Sequence, residues 1–318
     1  MKVLIAGTGA MALEYAKVIG KGLSLPFSIL GRAEEKITPF HSLPGFAGGM
    51  LFSRLENLSG FTAAIAATSI ESLFEVSEKL LENGAVGLLV EKPVSVQPKR
   101  IEELDALAKD GKALIRVACN RRYYNSVLQL KSILTTESTL CAHFDFTEWL
   151  SRVPLPWQTA ESGRRLALSN SIHVFDTLVY LLGNYLSAKR SVGGKNLIPW
   201  HPDGAVFSGL GFCGSVPVTH CTSWISPGRW NLEVMTEKGR YRLSPMESLQ
   251  LLRHESVHWE ELPLPDDDDM NYKPGLLKMT RQFLEQLNSP ARKISRLPTL
   301  EEYLANANTL SGLVGYDS

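Results

Sequence analysis

The sequence predicts an α/β protein in which a doubly wound parallel sheet is followed by an α+β domain with a large, mostly antiparallel, open sheet. Three observations carry this. The chain has 318 residues, which is two domains at roughly 150 residues each. Strand and helix signals alternate over its first 120 residues, the pattern of a parallel sheet. Beyond that point strands follow one another across short turns, the pattern of an antiparallel sheet. The expected division is therefore residues 1–120 and residues 121–318.

Each element has a local signal. Val3-Leu4-Ile5-Ala6 is a short apolar run, as a strand buried on both faces should be. Met11, Tyr15 and Ile19 then recur at helical spacing. Phe27 to Leu30 and Phe61 to Ala67 read as strands. Ile70, Phe74, Leu80 and Leu81 line one helix face, and Asn83-Gly84 closes that helix as a C-cap. Val86 to Val90 is a strand, Pro98 to Ala108 an amphipathic helix, and Ala113 to Ala118 the last strand of this half. In the second half, Asn125 to Leu134 and Arg164 to Leu182 read as helices. Strands follow at Ala142 to Trp149, Ala205 to Phe212, Val216 to Ile225, Leu232 to Thr236, Tyr241 to Leu243 and Ser248 to Arg253. The turn Glu237-Lys238-Gly239 joins two of them. Helices return at Gly275 to Leu287 and Leu300 to Val314.

Composition excludes several classes. At 44% hydrophobic and 21% charged residues, the chain is neither disordered, collagenous nor a long coiled coil. Thirty-three Lys and Arg balance thirty-three Asp and Glu, so no global field captures nucleic acid or an anionic membrane. Any anion must be held by a local site. Cys119, Cys141, Cys213 and Cys221 are widely spaced, without a CxxC pair, which suits free thiols in a reducing compartment. The apolar run at the start stops at Gly7, too soon for a signal peptide. The longest stretch free of charged residues, 204–228, is rich in Gly, Ser, Thr and Pro and reads as strands and turns. A soluble cytoplasmic protein is expected, with neither nucleic acid nor membrane as partner. The acidic run 266–269 reads as a solvated loop, since four adjacent acids cannot all face one ion. No metal site is expected.

Gly7-Thr8-Gly9-Ala10-Met11-Ala12 fits G-x-G-x-x-A between the first strand and the first helix. Gly7 allows a tight turn, Gly9 lets the backbone approach a pyrophosphate, and the small Ala12 lets helix and strand pack closely. The helix N-terminus offers free N–H groups to the phosphates. The alternative is a purely structural glycine turn. The second strand ends Leu30-Gly31-Arg32-Ala33, without the acid that bonds a ribose 2′-hydroxyl in NAD-binding domains. Arg32 can fork onto a 2′-phosphate instead, so NADP(H) is favoured over NAD(H). An ordinary exposed arginine is the alternative.

Together with Ala67-Thr68 at a strand end, Val90-Glu91-Lys92-Pro93, Asn120-Arg121-Arg122-Tyr123, and His173-Val174-Phe175-Asp176 before Leu181-Leu182-Gly183, the glycine motif resembles the Gfo/Idh/MocA oxidoreductase family. The markers run from residue 3 to about 183; beyond them only the general pattern agrees. The resemblance implies a Rossmann domain, a second domain with an open sheet, a cofactor cleft between them, and often a dimer or tetramer built through that sheet. It implies an NAD(P)-dependent dehydrogenase or reductase that interconverts a secondary alcohol and a ketone on a sugar or sugar nucleotide. Gly31, Arg32, Ala67, Thr68, Glu91, Lys92 and Asn120 would join residues 7–12 around the cofactor. Two alternatives stay open: an imine or double-bond reductase, and a catalytically silent cofactor-binding sensor.

The resemblance makes Lys92 the catalytic-site lysine, with Pro93 fixing its turn. An ammonium there can donate to a carbonyl oxygen; a surface lysine before a proline is the alternative. His173 titrates near neutrality and can give and take a proton. Asp176, three residues on, shares its face, and either orients His173 or substrate or caps an internal network. Tyr123 or Tyr124 is an alternative proton donor. Arg121, Trp157 and Arg165 are candidate substrate contacts, beside Arg164; the alternative for the arginines is plain helix exposure. Trp149, Trp224 and Trp230 offer either a stacking face for a sugar or core packing. One departure stands out: Ser169 occupies the place of the Asp that family dehydrogenases carry one turn before the His. Serine can bond a substrate hydroxyl but supplies no negative charge to raise a neighbouring pKa.

Overall fold

The computed structural model describes residues 1–55, 58–265, 268–288 and 295–316. The strands in chain order are β1 (Val3–Ala6), β2 (Phe27–Gly31), β3 (Phe46–Leu51), β4 (Ala63–Ala66), β5 (Gly87–Glu91), β6 (Leu114–Ala118), β7 (Thr139–Asp145), β8 (Tyr185–Gly193), β9 (Val206–Cys213), β10 (Val216–Ser223), β11 (Asn231–Thr236), β12 (Arg240–Leu243), β13 (Gln250–Leu252) and β14 (Glu260–Glu261). The longer helices are α1 (Ala10–Lys17), α2 (Ile70–Glu82), α3 (Pro98–Asp110), α4 (Asn125–Ile133), α5 (Ile172–Leu182), α6 (Leu276–Asn288) and α7 (Leu300–Val314). Two compact units divide the chain: Met1–Asn120 with Asp267–Leu304, and Arg121–Asp266 with Ala305–Ser318. Asp266 and Asp267 of the acidic run lie outside the described residues.

The first unit holds a six-stranded sheet in the order β3-β2-β1-β4-β5-β6, with every neighbouring pair parallel. This is the Rossmann order, and it reverses between β1 and β4. All residues of β1 and β4 are buried, because helices cover both faces of a parallel sheet. Ala6 pairs with Ala66, Ala66 with Val90, and Glu91 with Ala118. The carboxyl ends of β1, β4, β5 and β6 therefore stand level along one edge. After α2, Gly84 turns at φ +88°, and its N–H bonds the Leu81 carbonyl at 3.0 Å. The glycine C-cap read from Asn83-Gly84 is in place.

The sequence pattern assigns every residue after 120 to the second domain. In the structure, α6 packs on the first sheet. Its buried stripe includes Leu276, Met279, Phe283 and Leu284, and a Cβ on Gly87 of β5 would overlap the Leu287 side chain. An amphipathic pattern tells a helix which face to bury but not which sheet to bury it on. Strand β3 also lacks a sequence signal. It is an edge strand whose Ala-Gly-Gly centre gives neither alternation nor an apolar run; a Cβ on Gly49 would come within 2.8 Å of Ile37.

The second unit carries an eight-stranded sheet in the order β14-β13-β12-β11-β7-β10-β9-β8. Only the β7–β10 pair is parallel; the others are antiparallel. Helix α5 packs against β7 and β11. On that side Ala142, Phe144 and Phe146 are buried, and Phe144 lies 6.0 Å from the Phe175 ring. On the other side Thr219 and Cys221 are exposed, with Leu186 and Phe212 beyond them. Strand β8 was not legible either: its central residues Ser187 to Ser191 are polar or small and exposed, as an edge strand allows.

The single helix expected from Arg164 to Leu182 is broken. A short helix ends at Arg164, Arg165 leaves helical geometry at φ −110° and ψ 40°, and a π-helical turn spans Ala167–Ser171 before α5 begins. Ser169, Asn170 and Ser171 send their side chains to partners outside the helix, which is how such residues unsettle helical geometry. Among the described residues no helix is long and apolar enough to cross a membrane.

Candidate functional site

The first unit builds its site from backbone at the level strand ends. Gly7 sits at φ +130°, and a Cβ there would overlap the Ala67 carbonyl oxygen. Its N–H bonds the Leu30 carbonyl at 2.9 Å. Gly7 is thus required by the fold itself. Gly9 differs. Its φ of −86° suits any residue, and a Cβ there would meet nothing within 4 Å. The fold leaves open space in front of Gly9, where a group pressed against the backbone would need it bare. Gly9, the N-cap of α1, is exposed like Ala10; no side chain caps the helix, and no acid occupies its first turn. Free N–H groups and the positive end of the helix dipole face that space. A dinucleotide pyrophosphate fits this cradle.

Around it, Met11 is half-buried and Ala12 fully buried against the sheet. Gly31 is required by packing, since a Cβ would stand 3.0 Å from the Thr8 methyl and 2.9 Å from Ile37. Arg32 follows at the end of β2 and is exposed. Ala67 and Thr68 follow β4, and Lys92 follows β5, half-buried. Glu91 accepts a 2.7 Å hydrogen bond from the buried Tyr15 hydroxyl of α1. Burial and the adjacent Glu91 push the Tyr15 pKa well up, so this phenol stays protonated. Asn120 donates to the Pro274 carbonyl at 3.1 Å. Beyond Lys92 the Lys92–Pro93 peptide is cis, and Val94 adopts φ +65°. A β-branched residue there is a strained outlier of the kind that gathers at functional sites.

The second unit builds its cluster from side chains. His173 lies buried in the first turn of α5, and its ring centroid is 5.8 Å from that of Trp230. Asp176 does not face outward. It accepts two hydrogen bonds from Arg122, at 2.8 and 2.6 Å, and a third from Asn306 at 3.1 Å. Ser169 is fully buried, and its hydroxyl donates to the Ser162 carbonyl at 2.7 Å. Tyr123 and Tyr124 are buried too. Arg121 lies over the Trp230 ring at 4.7 Å. Trp157 is half-buried. Arg165 bonds the Tyr316 carbonyl at 3.1 Å and covers its ring. With Thr159, Glu161, Arg164 and Asp203, Arg165 lines a cavity of about 460 Å³.

Sequence reading missed Glu148, just past β7. Its carboxylate is buried and accepts from Ser171 at 2.6 Å, Asn170 at 2.9 Å and the Trp230 indole at 3.2 Å. Arg229 stands 3.6 Å away. Burial pushes the Glu148 pKa up, and these four partners oppose that rise. The only sequence signal was an acid inside an otherwise strand-like run. Also missed was a buried chain in which His201 bonds the Tyr316 hydroxyl at 2.7 Å and the Gly204 carbonyl at 2.9 Å. The Ala167 N–H bonds the same hydroxyl at 3.0 Å. Burial lowers the His201 pKa. This chain secures the C-terminal Tyr316 to the π-helical turn ahead of His173.

No family model matches the sequence, and no curated protein matches it. Solved structures do. A candidate NADPH-dependent oxidoreductase from Desulfitobacterium hafniense superposes with a TM-score of 0.80 at 16% identity, over 99% of this chain and 94% of that one. An oxidoreductase from Agrobacterium radiobacter, in complex with NAD+, L-tartaric acid and magnesium, gives 0.77 at 15% identity, over 98% and 94%. A candidate myo-inositol dehydrogenase from Sinorhizobium meliloti gives 0.74 at 15% identity, over 99% and 96%. These likenesses establish the two-part fold over essentially the whole chain.

Proposed function

We propose that this chain is a cytoplasmic nicotinamide-dependent oxidoreductase of the Gfo/Idh/MocA family. In this reading it interconverts a secondary alcohol and a ketone on a sugar or sugar nucleotide, with NADP(H) favoured over NAD(H). The observation that carries the reading is the contrast at the glycine turn. Gly7 is demanded by the fold, whereas Gly9 fronts open space before an uncapped helix at the point where strand order reverses. Similar structures named as NAD+-bound or as a candidate NADPH-dependent oxidoreductase support it.

The N–H groups from Gly9 to Met11 would hold the pyrophosphate, and Arg32 would fork onto a 2′-phosphate. When bound, the nicotinamide supplies hydride transfer. The protein's share is the proton and the oxygen. Lys92 Nζ donates a hydrogen bond to the substrate oxygen, stabilising charge that develops there. The His173 imidazole gives or takes that oxygen's proton. Asp176 holds Arg122 and leaves the acid–base step to His173. The exposed face of the eight-stranded sheet, with Leu186 and Phe212 on it, supports assembly of two or four copies through that face.

A second reading has an observation of its own. Ser169 and Asp176 are both consumed by internal hydrogen bonds, which favours a cofactor-binding sensor without turnover. Titration of NADPH and NADH, followed by NADPH oxidation at 340 nm against keto-sugars and keto-sugar nucleotides, separates the two. The enzyme reading expects NADPH to bind more tightly, the preference to vanish in Arg32→Ala, and Lys92→Met to stop turnover while NADPH still binds. Tight binding without turnover of any panel member would favour the sensor. Failure of both cofactors to bind would overturn both readings.

A further inference from the structure

The second unit contains an alternating ladder of rings and guanidinium groups. Arg121 lies 5.7 Å from the Tyr124 ring and 4.7 Å from the Trp230 ring. Arg229 covers Trp230 at 4.4 Å and lies 4.7 Å from the Trp149 ring. The order is Tyr124, Arg121, Trp230, Arg229, Trp149. The inner end is buried, and the outer end reaches solvent: Trp149 is 51% exposed, and the Arg229 side chain 38%.

The outer end is also held in place. The Trp149 indole donates to the Gly228 carbonyl at 2.7 Å. The Trp230 indole donates to the Glu148 carboxylate at 3.2 Å. Arg229 lies over two indole rings, and its ion pair with Glu148 is 3.6 Å long. That is too long for a good hydrogen bond, so the guanidinium keeps N–H donors for an anion from solvent. One ring further in, Trp230 packs on His173.

A pre-set guanidinium is suited to bidentate capture of a carboxylate or phosphate. An exposed indole beside it offers a flat apolar face of the kind that lines small-molecule sites. We infer that Trp149 and Arg229, fixed by Glu148 and Gly228, form a recognition subsite for a sugar ring bearing an anionic group. The ring lies on Trp149 and the anion on the guanidinium edge. This rests on the oxidoreductase reading for the sugar itself, and it adds that the sugar is acidic: a sugar phosphate, a sugar nucleotide or a sugar acid. Trp149 and Arg229 act as specificity residues and take no part in proton transfer.

The test is calorimetric titration of the full chain, with tryptophan emission followed in parallel, with and without saturating NADPH. The probes are D-glucose, D-glucuronate, D-glucose 6-phosphate and inorganic phosphate. At least one anionic sugar should bind tenfold or more tightly than glucose and quench emission, while inorganic phosphate binds more weakly than glucose 6-phosphate. The glucuronate and sugar-phosphate arms distinguish carboxylate from phosphate. Arg229→Gln should erase the preference for the anionic sugar, and Trp149→Ala should weaken that sugar at least fivefold. NADPH affinity should stay within twofold in both variants. Anionic sugars that bind no more tightly than glucose, that fail to bind, or that retain their advantage in Arg229→Gln would overturn the subsite. Phosphate binding as tightly as glucose 6-phosphate would overturn the role of the ring. Arg229-dependent sugar binding in a protein that binds no NADPH would leave the subsite standing and refute the oxidoreductase reading.

Discussion

The glycine turn after β1 and the cluster around α5 solve the same problem by different means. In the first unit the candidate site is backbone: an uncapped helix end, two glycines with different reasons to be glycine, and strand ends brought level by parallel register. Side-chain links such as Tyr15 to Glu91, across 76 residues, stand beside that backbone cradle and do not form it. In the second unit almost everything depends on distant side chains. Glu148 reaches Ser171 and Trp230 across 23 and 82 residues, and Arg122 reaches Asp176 across 54. A backbone site tolerates drift around it. A side-chain site is as good as its least satisfied buried group.

The comparison breaks most visibly at Arg122. Its pair with Asp176 is nearly inaccessible, with side chains 9% and 3% exposed. Arg122→Ala would leave a carboxylate buried with Asn306 as its remaining donor among the described residues, and should cost about 3–5 kcal/mol by denaturant unfolding. A loss under about 1 kcal/mol would mean that the second unit does not rest on buried pairing.

Acid should also affect the second unit selectively. His220 is buried beside Phe144 and Phe146, and burial, with His143 nearby, lowers its pKa to about 4. Its neutral form is the one that fits the fold. The stability it contributes is fully present above the unfolded value near 6.5 and falls as pH drops from there towards about 4. The loss is at most about 3–4 kcal/mol, at ~1.4 kcal/mol per pKa unit. Urea midpoints at pH 7.5 and pH 4.5 measure it. His220→Leu should flatten the difference, and an unchanged slope would remove His220 from the account.

A smaller effect is expected at Ser171. Removing its hydroxyl leaves the buried Glu148 with one charge-assisted hydrogen bond fewer, so Ser171→Ala should cost about 2 kcal/mol. Glu148→Gln should restore much of that loss when combined with it, because the unmet charge is gone. Additive losses would contradict this coupling.

The same contrast explains what the sequence made legible. Gly7 and the parallel strands announce themselves because backbone geometry demands particular residues at fixed spacing; Gly9 is legible from its place in the glycine motif, and Lys92 only through the family resemblance. His173 and Asp176 are legible as residues; of the roles open to Asp176, the internal network is the one seen, since it accepts from Arg122 and Asn306, while Ser169 donates to Ser162. Glu148, Arg229 and Tyr316 are silent because their meaning lies in partners far along the chain. Strands β3 and β8 are silent because edge strands need neither an apolar run nor a clean alternation. Helix α6 was legible as a helix, but the sheet that receives it is set by tertiary packing.

The smallest change in stability should accompany the largest change in binding. Gly9→Val places its side chain in open space at an ordinary φ and should alter stability by less than about 1 kcal/mol. Gly7→Ala, against the Ala67 carbonyl at φ +130°, should destabilise by more than that. The decisive measurement is calorimetric titration of NADPH into the unaltered protein and into Gly9→Val, with each protein's unfolding followed alongside. The expected result is at least tenfold weaker NADPH binding with stability changed by less than about 1 kcal/mol. Equal affinity in a folded Gly9→Val would show that the space before α1 does not hold the dinucleotide.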